Sequence, residues 1–278
     1  TENVLGDNPA YNIRVARGDR VVLNVEHGPG LVSKVYIADR ERTTVISVLI
    51  GLLLLAVVAL GDRRLVKHLA VLGVFALLFA RVILPLLTQD ILPLPVFLLI
   101  GAGAVYGWEA IAGHPPRRSL HVAGLTLMGL LIMLGLYVLA MEAEGLSGFA
   151  TESMASLWFV YPEMNFRIPL LLSLLISHLG ALYFLVHHVV GTAYAAGDAM
   201  ARGRALLAPL LTVVFLMDLG LAVPFLLPVR ELPGLKFFNL EGTAAYLTLV
   251  LVGALTLIVM VPLSNVWLSR GKPVGDKA

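Results

Sequence analysis

The chain has 278 residues, of which 59% are hydrophobic and 14% charged, and its mean hydropathy is +0.90. Soluble globular domains carry roughly 45–50% apolar and about 25% charged residues, so this composition predicts an integral membrane protein. The formal net charge of +2 is too small to indicate nucleic-acid binding. The absence of cysteine excludes disulfides, thiol catalysis and Cys-ligated metals.

The first 42 residues precede the apolar part of the chain. The stretch YNIRVARGDRVVLNVE alternates in polarity on both sides of the turn signal Arg17-Gly18-Asp19, which predicts a small β-rich element. Residues 1–42 therefore form the first predicted domain. Because the chain begins with Thr1, we expect an upstream signal or span that directs this element across the membrane.

Residues 43–270 hold long apolar runs that predict a bundle of seven transmembrane helices, an all-α polytopic membrane fold. Each run is long enough to cross a hydrocarbon core of about 30 Å as a helix. None shows the alternation that is typical of barrel strands. The spans are predicted at 43–60, 68–88, 91–112, 120–141, 168–190, 205–228 and 242–265. A short tail follows at 271–278.

Lys and Arg residues concentrate in alternate connections, which predicts the orientation in the membrane. The connections after the first, third, fifth and seventh spans hold Arg63, Arg64, Lys67, Arg117, Arg118, Arg202, Arg204, Arg270, Lys272 and Lys277. The positive-inside rule places these connections and the tail in the cytoplasm, and the N-terminal element outside. We expect a bacterial inner-membrane protein whose main partner is the lipid bilayer.

Asp218 stands in the middle of the apolar run LTVVFLMDLGLAVPFLL of the sixth span. Arg81 lies at a matching depth in the second span. A lone charge there costs about 2.5–3.5 kcal/mol, and pairing offsets much of that cost. We therefore predict an Arg81–Asp218 ion pair, which either fixes the register of two helices or works as a gate or proton-coupling pair. Pro85 and Pro224, near the outer ends of the same spans, predict a hinge.

His178 lies near the middle of the fifth span, either as a hydrogen-bonded core residue or as part of a transport path. Glu109 ends the third span and is positioned to pair with a histidine or with Arg117. His187 and His188 point about 100° apart on a helix, since each residue turns the helix by that angle. No HxxxH or HExxH spacing occurs, so we expect no metal site and no cofactor.

The stretches GDRVVLNV, VYIADRERTTVISVLIGLLLLAVV, ARVILPLL and FNLEGTAAYLTLVLVGALTLIVMVPLSNV together resemble the YibE/F-like family of multispanning bacterial membrane proteins. The resemblance implies a permease-like architecture. Phe184 stands where that family usually has an acidic residue, so the polar centre is altered here. The resemblance assigns family-motif positions to Asp39, Arg42, Gly220, Pro224, Asn239, Glu241 and Pro262.

Two functions are consistent with these features. The first is a permease for an ion or small solute, with Arg81, Asp218, His178 and Glu109 as transport or gating candidates. It predicts a water-accessible polar cavity between the second, fifth and sixth spans. The second is a non-catalytic subunit or scaffold that anchors a larger assembly, with a second copy or another membrane protein as partner. No P-loop, hydrolase motif or nucleophile–base pair occurs, so we do not expect an enzyme.

Overall fold

The computed structural model describes residues 17–28, 31–40, 43–60, 63–87, 93–148, 161, 164–195, 197–226 and 241–270. The chain divides into two compact units, Thr1–Val66 and Lys67–Ala278. The boundary falls at the start of the second predicted span, because the first span belongs with the N-terminal element.

The first unit contains a β-hairpin. β1 (Val21–Gly28) pairs with β2 (Leu31–Arg40) in antiparallel register, with Val25 opposite Val35. Gly18 has a φ of 101° in the turn before β1, a conformation that glycine adopts without strain. A β-rich element is therefore present, and the partner of β1 is a strand after it in the chain. The strand predicted before the turn lies outside the described residues.

Helix α1 (Thr43–Leu60) follows the hairpin and coincides with the first predicted span. Every side chain that the structure describes in α1 is exposed, as expected for a helix that is apolar on all sides and faces lipid.

The second unit is a bundle of long helices. Within the described residues, six helices are long and apolar enough to cross a membrane, which confirms the predicted all-α polytopic fold. The elements in chain order are α2 (Arg63–Leu78), a π-helical segment (Phe79–Ile83), α3 (Leu84–Leu87), α4 (Pro93–Ile111), α5 (Pro116–Glu144), α6 (Arg167–Tyr194), α7 (Ala199–Leu226) and α8 (Glu241–Arg270).

The π-helical segment lies where Pro85 predicted a bend in the second span. Proline lacks an N–H, so Pro85 cannot donate to the carbonyl of Arg81 four residues earlier. The N–H of Leu84 instead donates five residues back, to the carbonyl of Phe79. The helix is therefore widened over one turn, a distortion that often occurs at functional sites.

Helix α6 lies at the centre of this unit. It packs against α4, α5, α7 and α8, and Leu174, Leu182 and Val186 on it are fully buried. Gly129 of α5 lies against Leu182, and a Cβ at Gly129 would overlap that side chain. Polar residues on the inner faces of α6 are consequently surrounded by other helices instead of lipid.

Candidate functional site: two carboxylate–histidine pairs on one helix

His178 on α6 and Asp218 on α7 face each other inside the bundle. Nε2 of His178 lies 3.7 Å from Oδ2 of Asp218, and the two side chains are 0% and 3% exposed. Neither of these two atoms has a hydrogen-bond partner in the part of the chain that the structure describes. The two buried atoms therefore face each other without a hydrogen bond to satisfy either of them.

The other ring nitrogen of His178 determines which species the pair can hold. Nδ1 lies 3.1 Å from the carbonyl oxygen of Leu174 and 2.8 Å from Oγ of Ser177. The carbonyl only accepts, so its contact favours the tautomer with the proton on Nδ1, and in that neutral ring Nε2 presents a lone pair to Asp218. One further proton, on either Asp218 or His178, converts a repulsive contact into a favourable one.

Helix α8 leaves room for the imidazole of His178 at Gly253. A Cβ at Gly253 would overlap Nε2 of His178. Thr256, one turn further along α8, donates its hydroxyl proton to the carbonyl of Val252 and is fully buried. Helices α6, α7 and α8 therefore close around the His178–Asp218 pair.

The predicted Arg81–Asp218 ion pair is not formed. Asp218 faces His178, whereas the side chain of Arg81 is exposed on the π-helical segment, which packs against α4. Equal depth in two spans does not make them neighbours, and the order of helices around the bundle separates these two. The cavity predicted between the second, fifth and sixth spans is not open at Asp218, because this carboxyl and His178 are buried.

Glu109, at the end of α4, forms the second pair with His187 of α6. Its Oε1 lies 2.5 Å from Nδ1 of His187 and accepts a hydrogen bond from the hydroxyl of Tyr183 at 3.1 Å. Of the two partners expected for Glu109, a histidine or Arg117, the structure thus places a histidine against the carboxylate. Oε2 lies 3.9 Å from Nε2 of His114 and 3.7 Å from Nε of Arg118. Glu109 is fully buried, and Oε2 has no hydrogen-bond partner among the described residues.

The end of α4 explains how His114 reaches Glu109. Gly113 adopts a φ of 82°, the N–H of His114 donates to the carbonyl of Glu109 at 3.2 Å, and the N–H of Gly113 donates to Ala110 at 3.0 Å. These two bonds define a Schellman motif, which folds the residue after the glycine back over the last turn. The sequence analysis missed His114. Gly113, four residues after Glu109, is the residue type that commonly ends a helix in this motif, and it indicates that the following histidine folds back towards the glutamate.

Both pairs involve α6, on which His178 and His187 lie nine residues, or about 13.5 Å, apart. Nine residues make two and a half turns, so these histidines point to opposite faces, towards α7 and α4. Beside His187 opens a pocket of about 520 Å³, at the end of the bundle that we predict to be cytoplasmic. Its lining consists of Arg118, His187, His188, Gly191, Thr192, Ala195 and Arg202.

Five of the seven family-motif positions lie in described elements. They are Asp39 in β2, Gly220 and Pro224 in α7, Glu241 at the start of α8, and Pro262 inside α8. Arg42 and Asn239 lie outside the described residues.

A comparison with protein families matches residues 49–183 to the family described as YibE/F-like protein. No curated protein and no solved structure matches the chain. The matched range includes Arg81, Glu109 and His178 and ends before Asp218. The seven family-motif positions all lie outside it, so their assignment stays a prediction.

Proposed function

Because residues 49–183 match the model of the YibE/F-like family, we propose that the chain is a permease-like membrane protein that moves an ion or small solute together with protons. The observation that carries the proposal is the contact between Nε2 of His178 and Oδ2 of Asp218, both buried and 3.7 Å apart. Ionisable groups inside a membrane commonly mark proton or substrate paths.

The packing of α6 against α7 would depend on whether a single proton is bound at this contact. With the proton, Asp218 and His178 share a hydrogen bond between α6 and α7. Without it, a carboxylate faces a lone pair, and burying an unpaired charge is expensive. Loss of the proton therefore favours a state in which α6 and α7 separate and water reaches both groups. This is the differential stability that an alternating-access cycle needs.

The buried pair corresponds to a closed state in this proposal. The only polar contacts of His178 besides Asp218, within the described residues, are with Ser177 and the carbonyl of Leu174. No second charged side chain among them competes for the proton. Solute would reach the pair when the bundle opens.

The test uses purified protein in liposomes that contain a pH-sensitive dye, with an imposed inward proton gradient. Ions and small solutes are added one at a time, and the rate at which the gradient collapses is measured. We expect at least one solute to accelerate the collapse in the wild type and not in Asp218→Asn. Asn can donate its amide proton to Nε2 of His178, so the variant keeps the contact and loses the transferable proton.

If the protein is a scaffold, the liposome assay gives a different result. Wild type, Asp218→Asn and protein-free liposomes would then respond alike to every solute, while the protein would retain a stoichiometric membrane partner through purification. That combination would contradict the permease proposal.

A further inference from the structure

We propose that Glu109, His114 and His187 form a binding site for a divalent transition-metal ion such as Zn²⁺. One carboxylate oxygen and one nitrogen from each imidazole all lie within 4.8 Å of one another. The three residues come from the end of α4, the following turn and α6. This site uses neither Asp218 nor His178 and is independent of the permease proposal.

The buried carboxylate is the strongest sign of a missing ligand. Glu109 is fully buried, yet its Oε2 has no hydrogen-bond partner in the part of the chain that the structure describes. Nε of Arg118 and Nε2 of His114 lie 3.7 Å and 3.9 Å from this oxygen, both beyond hydrogen-bond distance. A buried acceptor left without a donor is unfavourable, and a cation between Oε2 and the two imidazoles would remove that cost.

The ligand atoms need only small shifts to coordinate a metal. Zinc binds imidazole nitrogen and carboxylate oxygen at about 2.0–2.2 Å, so ligands around a tetrahedral ion lie about 3.3–3.6 Å apart. Glu109 and His187 are now hydrogen-bonded at 2.5 Å and must open slightly. His114, in the turn between two helices, must approach.

The donor set selects the kind of metal. Two imidazoles with one carboxylate suit zinc and its first-row neighbours, whereas Ca²⁺ and Mg²⁺ prefer oxygen ligands alone. Three protein ligands leave a fourth position for water or another ligand. The pocket of about 520 Å³ at the predicted cytoplasmic end shares His187 with the cluster.

Two neighbouring residues affect the affinity of the site for the metal in opposite directions. The hydroxyl of Tyr183 donates to Oε1 of Glu109 at 3.1 Å and orients the carboxylate, as outer-shell partners of metal sites do. Arg118, with Nε 3.7 Å from Oε2, adds a positive charge that opposes a cation. Removing that charge should tighten the binding of the metal.

The experiment is a titration of the purified, chelator-treated full-length protein with Co²⁺, followed by visible absorption and by metal analysis. We expect one Co²⁺ per chain with the intense bands of a four-coordinate ion, and displacement of Co²⁺ by Zn²⁺. His114→Gln and His187→Gln should each weaken Co²⁺ binding by about tenfold or more. Arg118→Gln should strengthen it, because the repulsive charge is gone.

His121→Gln is the matched control. His121 lies on α5, outside the cluster of possible ligands, and its Nδ1 lies 2.9 Å from the hydroxyl of Tyr194. Its replacement should leave Co²⁺ affinity unchanged. Absence of saturable Co²⁺ binding by the wild type would overturn the site. So would an affinity that His114→Gln leaves intact, and this variant changes a turn residue without removing a core side chain.

Discussion

At the scale of single residues, the partner of Asp218 decides what the carboxyl can do. Arginine keeps its proton at all physiological pH values, so an Arg–Asp pair is a fixed pair of charges. Histidine has an unperturbed pKa of about 6.5 and exchanges its proton near neutral pH. The contact with His178 at 3.7 Å therefore gives Asp218 a partner that can bind and release a proton, in place of Arg81, whose pairing was expected either to fix the register of two helices or to work as a gate.

The variant Asp218→Asn tests which species the pair holds. If the proton of the pair lies on Asp218, the Asn amide can substitute for the carboxyl proton, and we expect the thermal unfolding temperature to change by less than a few degrees. If the proton lies on His178, so that the pair is His⁺ with Asp⁻, the variant leaves a buried cation without its partner, which costs about 3–5 kcal/mol. Thermal unfolding in detergent distinguishes the two. A large loss of stability would contradict a proton on Asp218.

At the scale of elements, the approach of α8 to α6 depends on Gly253. In Gly253→Ala, the new methyl group must displace the imidazole of His178. Overpacking of this kind costs about 1–3 kcal/mol, and it should also impair proton-coupled transport. Gly135→Ala on α5 is the control, since a Cβ there meets nothing within 4 Å. Equal unfolding temperatures for the two variants would disprove the tight approach.

The turn after α4 makes a second prediction at this scale. Gly113 has a φ of 82°, so Gly113→Ala should strain the Schellman motif and lower the free energy of unfolding by about 1 kcal/mol. It should also move His114 away from Glu109 and weaken Co²⁺ binding. Gly180→Ala on α6, with open space around its Cβ, is the control. Unchanged Co²⁺ affinity in Gly113→Ala would show that the motif does not position His114.

At the scale of the whole molecule, the helix order determines which loops share one side of the membrane. The chain has no cysteine, so single cysteines can be introduced without removing others. In intact cells, Ser147→Cys after α5 should react with a membrane-impermeant maleimide. Ala195→Cys after α6 should react only after the membrane is broken. The reverse pattern would contradict the orientation that the basic loops predict.

The sequence by itself determined the membrane class, the positions of the spans and the family resemblance. These depend on long apolar runs and local motifs, which are properties of contiguous residues. It also indicated that Asp218, His178 and Glu109 are unusual, because a polar group in a span needs a partner. The identity of those partners could not be predicted in the same way.

Only the tertiary structure decided which residues form pairs. His178 is 40 positions before Asp218, and His187 is 78 positions after Glu109, so no local spacing connects them. Their contacts depend on which helices are neighbours and how each is rotated, and depth in the membrane specifies neither. Because α6 packs against α4, α7 and α8, it places His187 beside Glu109 and His178 beside Asp218.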